Sequence, residues 1–333
     1  MTGRLLERFD ALLFDLDGVV YVGPAPVPHA ADSIAAARDA GLACGYVTNN
    51  ASRSAAAVAE HLIELGIDAT VDDVITSPQA AVSLLPEYVP AGSRVLVIGG
   101  TGIDDALVDG GYVPVRALAD GPAAVMQGFS PDVSWRDLAE ATFAVRTGLP
   151  WIATNPDLTF PAPGGIAPGN GALVRLVAET VGRGPDAVAG KPEPPLLREA
   201  IRRTQAQRPL MVGDRLDTDI AAGSRIGIPS LLVFTGVTTL AELLAAIPEE
   251  RPEYLGADLR VLLADYPDVV VDADRVTCRG SSATIRDGVL MLTVVDDPWD
   301  VVRAAAAMAW AAADGGRRLE VDTALADLAR ALG

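Results

Sequence analysis

The apolar run Ala11-Leu12-Leu13-Phe14 leads into Asp15-Leu16-Asp17-Gly18-Val19, and no other stretch restricts the fold as much. Four consecutive apolar residues without alternation describe a strand covered on both faces, as in a parallel sheet flanked by helices. Two carboxylates two residues apart stand where that strand ends, and Gly18 allows a sharp backbone turn. Ligands of open parallel sheets bind at the carboxyl ends of the strands, so both acids would face a site. Like charges this close repel, and a divalent cation between them relieves the repulsion by ordering their oxygens. An acidic turn with solvated side chains fits the same residues, and other segments of the chain bear on the choice.

Those segments recur along the chain. Cys44-Gly45-Tyr46-Val47 reads as a second strand ending in Thr48-Asn49-Asn50, followed by a helix from Ser54 to Leu65. Leu210-Met211-Val212 reads as a third, ending in Gly213-Asp214-Arg215-Leu216-Asp217-Thr218-Asp219, and Ser230 to Phe234 as a fourth. Strands alternating with helices predict an α/β fold with a doubly wound, Rossmann-like parallel sheet. Between residues 81 and 184 lies a second set of strand and helix signals, ending in a long Pro-, Gly- and Asn-rich loop from Asn155 to Gly171. The expected organisation is therefore a core of residues 1–80 and 185–255, an α/β insertion at 81–184 placed to act as a lid, and a small α+β domain at 256–333. In that last part Asp297-Pro298 has the form of a helix N-cap followed by Pro in the first turn, opening an Ala-rich helix to Asp314.

Charge and composition exclude several functions. A net charge of −18 disfavours nucleic acid and anionic membrane surfaces as partners, and no apolar run is long enough to span a bilayer. A cytoplasmic protein is expected. Its two histidines, His29 and His61, lie outside any polar constellation, and its two cysteines, Cys44 and Cys278, make neither a disulfide framework nor a metal knuckle. Twenty-five of its twenty-six basic residues are arginine, and the single lysine is Lys191 in Gly190-Lys191-Pro192. Where nearly every lysine has become arginine, the survivor is expected where a compact ammonium fits and a planar guanidinium does not. Gly190-Lys191 is no nucleotide-phosphate loop, because Pro192 occupies the Ser/Thr position.

Asp-x-Asp-Gly-Val, Val-Thr-Asn-Asn, Gly-Lys-Pro and Gly-Asp-Arg-x-x-Thr-Asp occur here in that order. Together they resemble the four signature motifs of the haloacid dehalogenase superfamily of phosphatases, over roughly residues 8–250. The insertion between the Thr-Asn-Asn segment and the lysine looks like the αβ cap of that superfamily's second subclass, in which glycerol-3-phosphate and phosphoglycolate phosphatases fall. Residues Ala153 to Pro161 and Pro168-Gly169-Asn170-Gly171 are similar to its cap segment, whereas the tail departs from most of the family.

The resemblance implies a magnesium-dependent phosphatase working through an aspartyl-phosphate. Asp15 would be the nucleophile, Asp17 the general acid and base, and Lys191 the ammonium bridging nucleophile and phosphate. Thr48, Asn49, Asn50 and Lys191 would hold the phosphoryl oxygens, and Asn155 would line the substrate pocket from the cap. Mg2+ would be held by Asp15, by the backbone carbonyl of Asp17 and by Asp214, with Asp219 orienting these ligands. The expected partner is a small phosphorylated metabolite, glycerol 3-phosphate first. Phosphoglycolate, nucleotide or sugar phosphates are the alternatives, as is a phosphate-binding module without turnover. The tail carries no chemical motif and is expected to serve packing or formation of a homodimer.

Overall fold

The computed structural model describes residues 3–162, 164–272 and 275–332. Contacts group it into two compact units, Met1–Cys44 with Gln207–Gly333, and Gly45–Ala206. The α/β class and the parallel core expected from the sequence are both observed.

In the first unit, the strands Tyr254–Gly256, Ser230–Val233, Pro209–Gly213 and Ala11–Asp15 lie side by side and run parallel. Ala11–Asp15 and Pro209–Gly213 are buried at every residue, as continuous apolar runs require. Their register pairs Ala11 with Pro209 and Phe14 with Val212, so Asp15 and Asp214 emerge together at the same end. Tyr254–Gly256 adds a strand that was not anticipated from the sequence.

The residues after 256 build a four-stranded antiparallel sheet from Val269–Asp272, Arg275–Cys278, Ser281–Arg286 and Val289–Thr293. The helix Pro298–Asp314 begins as expected, with the Asp297 side chain accepting from the Trp299 amide. Its face of Val301, Ala304, Ala305 and Met308 shares one apolar core with Leu232, Leu243 and Leu255 of the parallel region. Trp310 Nε1 donates to the Leu243 carbonyl at 2.9 Å, tying the helix to Leu240–Ala245.

The second unit holds the parallel pair formed by the end of Ala43–Thr48 and Val74–Thr76. It also holds a five-stranded parallel sheet in the order Ala187–Val188, Trp151–Ala153, Ala124–Gln127, Arg94–Ile98, Val113–Val115. Trp135–Arg146 and Asn170–Val181 cover one side through Leu138, Ala141, Val145, Val174 and Val177. The stretch from Asn155 to Gly171, read from sequence as loop, contains an antiparallel hairpin of Thr159–Ala162 and Gly165–Pro168. Prolines at 161 and 168 hid it, because proline removes a ladder donor and argues against a strand.

Candidate active site

The carboxylates of the first unit converge. Oxygens of Asp15, Asp214 and Asp219 all lie within 4.8 Å of one another, and all three residues are buried. Among the described residues this is the only such group of three or more potential metal ligands. Local backbone geometry brings it about. Asp214 follows directly on the strand Pro209–Gly213, and the chain then makes one π-helical turn, Leu216–Ile220. That turn folds Asp219 back over Gly213, where a Cβ would collide with the Asp219 side chain, so only glycine fits. Insertions of this kind gather at functional sites because they re-aim a side chain without ending the helix.

Two more glycines admit Asp214. Gly18 has φ +93°, and a Cβ there would come within 2.5 Å of Asp214 Oδ2. A side chain on Gly236 would strike the same carboxylate. Val237 N–H donates to Asp214 Oδ2 at 2.7 Å, and the Thr235 hydroxyl donates to the Gly18 carbonyl at 2.6 Å. Thr235, Gly236 and Val237 thus clasp the acid from the loop after Ser230–Val233, and the sequence reading missed them. A glycine just past a fourth buried strand was the signal available. Asp17, two residues after Asp15, is exposed, and its turn is closed by Gly18 N–H donating to the Tyr21 carbonyl at 2.8 Å.

The second unit gathers Thr48, Asn49, Asn50, Asn155 and Lys191. Lys191 is 1% exposed, and its Nζ lies 3.3 Å from the Val47 carbonyl. Asn49 grips the same residue by its backbone: Lys191 N–H donates to Asn49 Oδ1 at 2.8 Å, and Asn49 Nδ2 donates to the Lys191 carbonyl at 2.9 Å. The other Nδ2 hydrogen goes to Asp157 Oδ2 at 2.9 Å. Both side-chain donors of Asn49 are therefore committed within the protein, and neither is left for the phosphoryl oxygen expected from sequence. Asn155 Nδ2 meets the same Asp157 oxygen at 2.6 Å, so Asn155 joins this network as well. Asn50 Oδ1 accepts from the backbone N–H and hydroxyl of Ser52 and closes its own turn. Thr48 is buried, and its oxygen accepts from Asn50 N–H at 3.1 Å, which leaves the hydroxyl hydrogen to donate elsewhere.

A family model of haloacid dehalogenase-like hydrolases matches residues 12–113, and a second model of similar description matches residues 188–262. A D-glycerol 3-phosphate phosphatase of Mycobacterium tuberculosis is 42% identical over 313 residues, spanning 92% of this chain and 88% of that one. The chain belongs to the haloacid dehalogenase-like hydrolases. An acid sugar phosphatase of Staphylococcus epidermidis, a second relative, is 36% identical over 78% of this chain and 99% of its own length. Among solved structures, a glycerol phosphate phosphatase of M. tuberculosis in complex with magnesium superposes with a TM-score of 0.87 at 39% identity, covering 99% of both chains. This likeness spans 99% of the chain and so includes the tail, whereas the staphylococcal match covers 78% of it.

For a haloacid dehalogenase-like hydrolase the three-acid cluster has a direct chemical reading. Its donor set is all oxygen, which suits a hard cation such as magnesium. Three carboxylates buried this close would be costly without positive charge among them. Among the described residues no helix is long and apolar enough to cross a membrane.

Proposed function

We propose that the protein is a magnesium-dependent phosphatase that hydrolyses a small phosphate monoester, glycerol 3-phosphate first, through a phosphorylated Asp15. The observation that carries this reading is the convergence of buried Asp15, Asp214 and Asp219 at the ends of two adjacent parallel strands. The 42% identity to a phosphatase of that name supports the substrate.

Asp15 attacks phosphorus, and a carboxylate nucleophile divides the hydrolysis into two lower barriers. Asp17, exposed and two residues further on, protonates the departing alkoxide and then takes a proton from the water that opens the acyl phosphate. Asp15, the Asp17 carbonyl and Asp214 would hold magnesium, with Asp219 orienting the set. When bound, magnesium supplies positive charge against the repulsion between nucleophile and phosphate. Thr48 donates its hydroxyl hydrogen to a phosphoryl oxygen, and the Lys191 ammonium neutralises charge developing on the transferring group. Asn49 contributes by fixing the Lys191 backbone rather than by offering its amide. Residues 81–184 select the alcohol portion of the ester, and residues 256–333 buttress the strands Ser230–Val233 and Tyr254–Gly256.

Phosphate release from a panel of small esters in the presence of magnesium tests the reading. Glycerol 3-phosphate should be hydrolysed with the highest kcat/KM. Better turnover of a sugar phosphate would move the substrate, and no release from any ester would remove the enzyme.

A further inference from the structure

We propose that Asp157 is a positioning residue for Lys191, acting through the side-chain amide of Asn49. The inference deepens the phosphatase reading and rests on it for the role of Lys191. One oxygen of Asp157 accepts from two amides, Asn49 Nδ2 at 2.9 Å and Asn155 Nδ2 at 2.6 Å. A carboxylate at neutral pH accepts and does not donate, so both amides must turn their N–H groups towards it. For Asn49 that orientation is also the one in which its oxygen receives Lys191 N–H and its second N–H reaches the Lys191 carbonyl. A flipped Asn49 would set oxygen against oxygen and N–H against N–H at the lysine. Asp157 therefore selects the amide orientation that clamps the residue carrying the ammonium.

The clamp is itself anchored. Gly171 N–H donates to the Asp157 carbonyl at 2.8 Å, and Asn170 Nδ2 donates to the Asn155 carbonyl at 2.9 Å. Both donors open the helix Asn170–Val181. A side chain on Gly171 would collide with the Pro156 carbonyl, so the approach needs glycine. On the lysine side, a Cβ on Gly190 would come within 2.6 Å of Asn49 Oδ1, so glycine is needed there as well. Lys191 is thus held through a chain of hydrogen bonds starting at a helix in the 81–184 segment. Charged acceptors make the stronger hydrogen bonds, which suits Asp157 to the shared position.

The experiment compares wild type, D157A, D157N, N49A and D157A/N49A, with magnesium and 4-nitrophenyl phosphate or glycerol 3-phosphate. D157A should lower kcat by about 10- to 100-fold, the usual range for a residue that orients a functional group, with a far smaller change in KM. D157N keeps an acceptor oxygen and should restore most of the loss. In the N49A background the D157A change should cost no more than about twofold, because both act on one clamp. Hydrogen exchange in a peptide containing Lys191 should rise in D157A and return in D157N, a readout independent of turnover. Unchanged exchange, unchanged kcat in D157A, no recovery in D157N, or a full additive loss in the double variant each overturn the proposal. A wild-type enzyme inactive on every ester removes the phosphatase reading instead, while the exchange comparison still judges the clamp.

Discussion

Two buried charged clusters in the first unit differ in what they bring together. Asp15, Asp214 and Asp219 bring three carboxylates together. Some distance along the chain, Asp300 is buried against its own counter-charge: Arg303 Nη1 donates to Asp300 Oδ1 at 2.8 Å, and Nη2 donates to the Leu255 carbonyl at 2.9 Å. The Arg303 guanidinium also stacks 4.8 Å above the Tyr266 ring, and the Tyr266 hydroxyl accepts from Leu255 N–H at 2.7 Å. A buried charge with an internal partner is structure, here a rivet between the tail helix and the edge strand Tyr254–Gly256. Three buried carboxylates within 4.8 Å of one another form instead an all-oxygen donor set suited to a hard cation, which is what a cation-dependent enzyme requires.

The sharpest way to break this contrast is to change one acid in the first cluster. D15N should cut turnover by on the order of 10^4- to 10^6-fold while the protein stays folded, as loss of a nucleophile does elsewhere. Near-normal phosphate release by D15N would deprive the cluster of its role. The next largest effect belongs to the rivet. R303M would strand Asp300 without its main partner and should cost about 3–5 kcal/mol in urea unfolding, with kcat unchanged. Replacing Asp300 and Arg303 together by apolar residues should cost much less. If R303M is as stable as wild type, the pair is not holding the tail.

Magnesium should separate the clusters in the other direction. At a concentration of 100 times its Kd it should stabilise the wild type by about 2.7 kcal/mol, since it binds the folded chain alone. Chelation should remove that increment together with turnover. D214N should lose the increment, whereas R303M should keep it in full. Equal stabilisation of D214N and wild type would place the cation elsewhere.

How far these features could be read in advance depended on whether a neighbour in sequence or in space defines them. Asp15 and Asp214 were legible because a buried parallel strand is a continuous apolar run, and each acid marks where one stops. The cap at Asp297 was legible for the same local reason. The loop Thr235-Gly236-Val237 was not, because it acts through the Val237 N–H, which only the fold brings to Asp214, and the Thr235 hydroxyl, which only the fold brings to the Gly18 carbonyl. The side-chain bonds of Asn49 could not be read, since the groups that take its hydrogens stand at Asp157 and Lys191, far along the chain. Nothing in the sequence singled out Asp300 and Arg303, and the edge strand whose Leu255 carbonyl accepts from Arg303 was not anticipated either.

Cys278 gives the smallest test of the contrast. It is buried beside Asp300, with Sγ 3.5 Å from Oδ1, and burial first and the Asp300 charge second push its thiol up to about 12. The rivet therefore holds a neutral thiol, because burial and the Asp300 charge outweigh the lowering effect of Arg303 and Arg279. Folded Cys278 should resist thiol reagents at pH 8 and react at the ordinary rate once the chain is unfolded in urea. Because the folded value lies above the unfolded one, the thiol's contribution to stability is complete below about pH 9 and is lost as pH rises through about 12. Stability measured across that window should fall less in C278A than in wild type. An equal fall in both would mean that Arg303 and Arg279 cancel the effect of Asp300 on the sulfur, and that the rivet's charge is more evenly shared than its distances suggest.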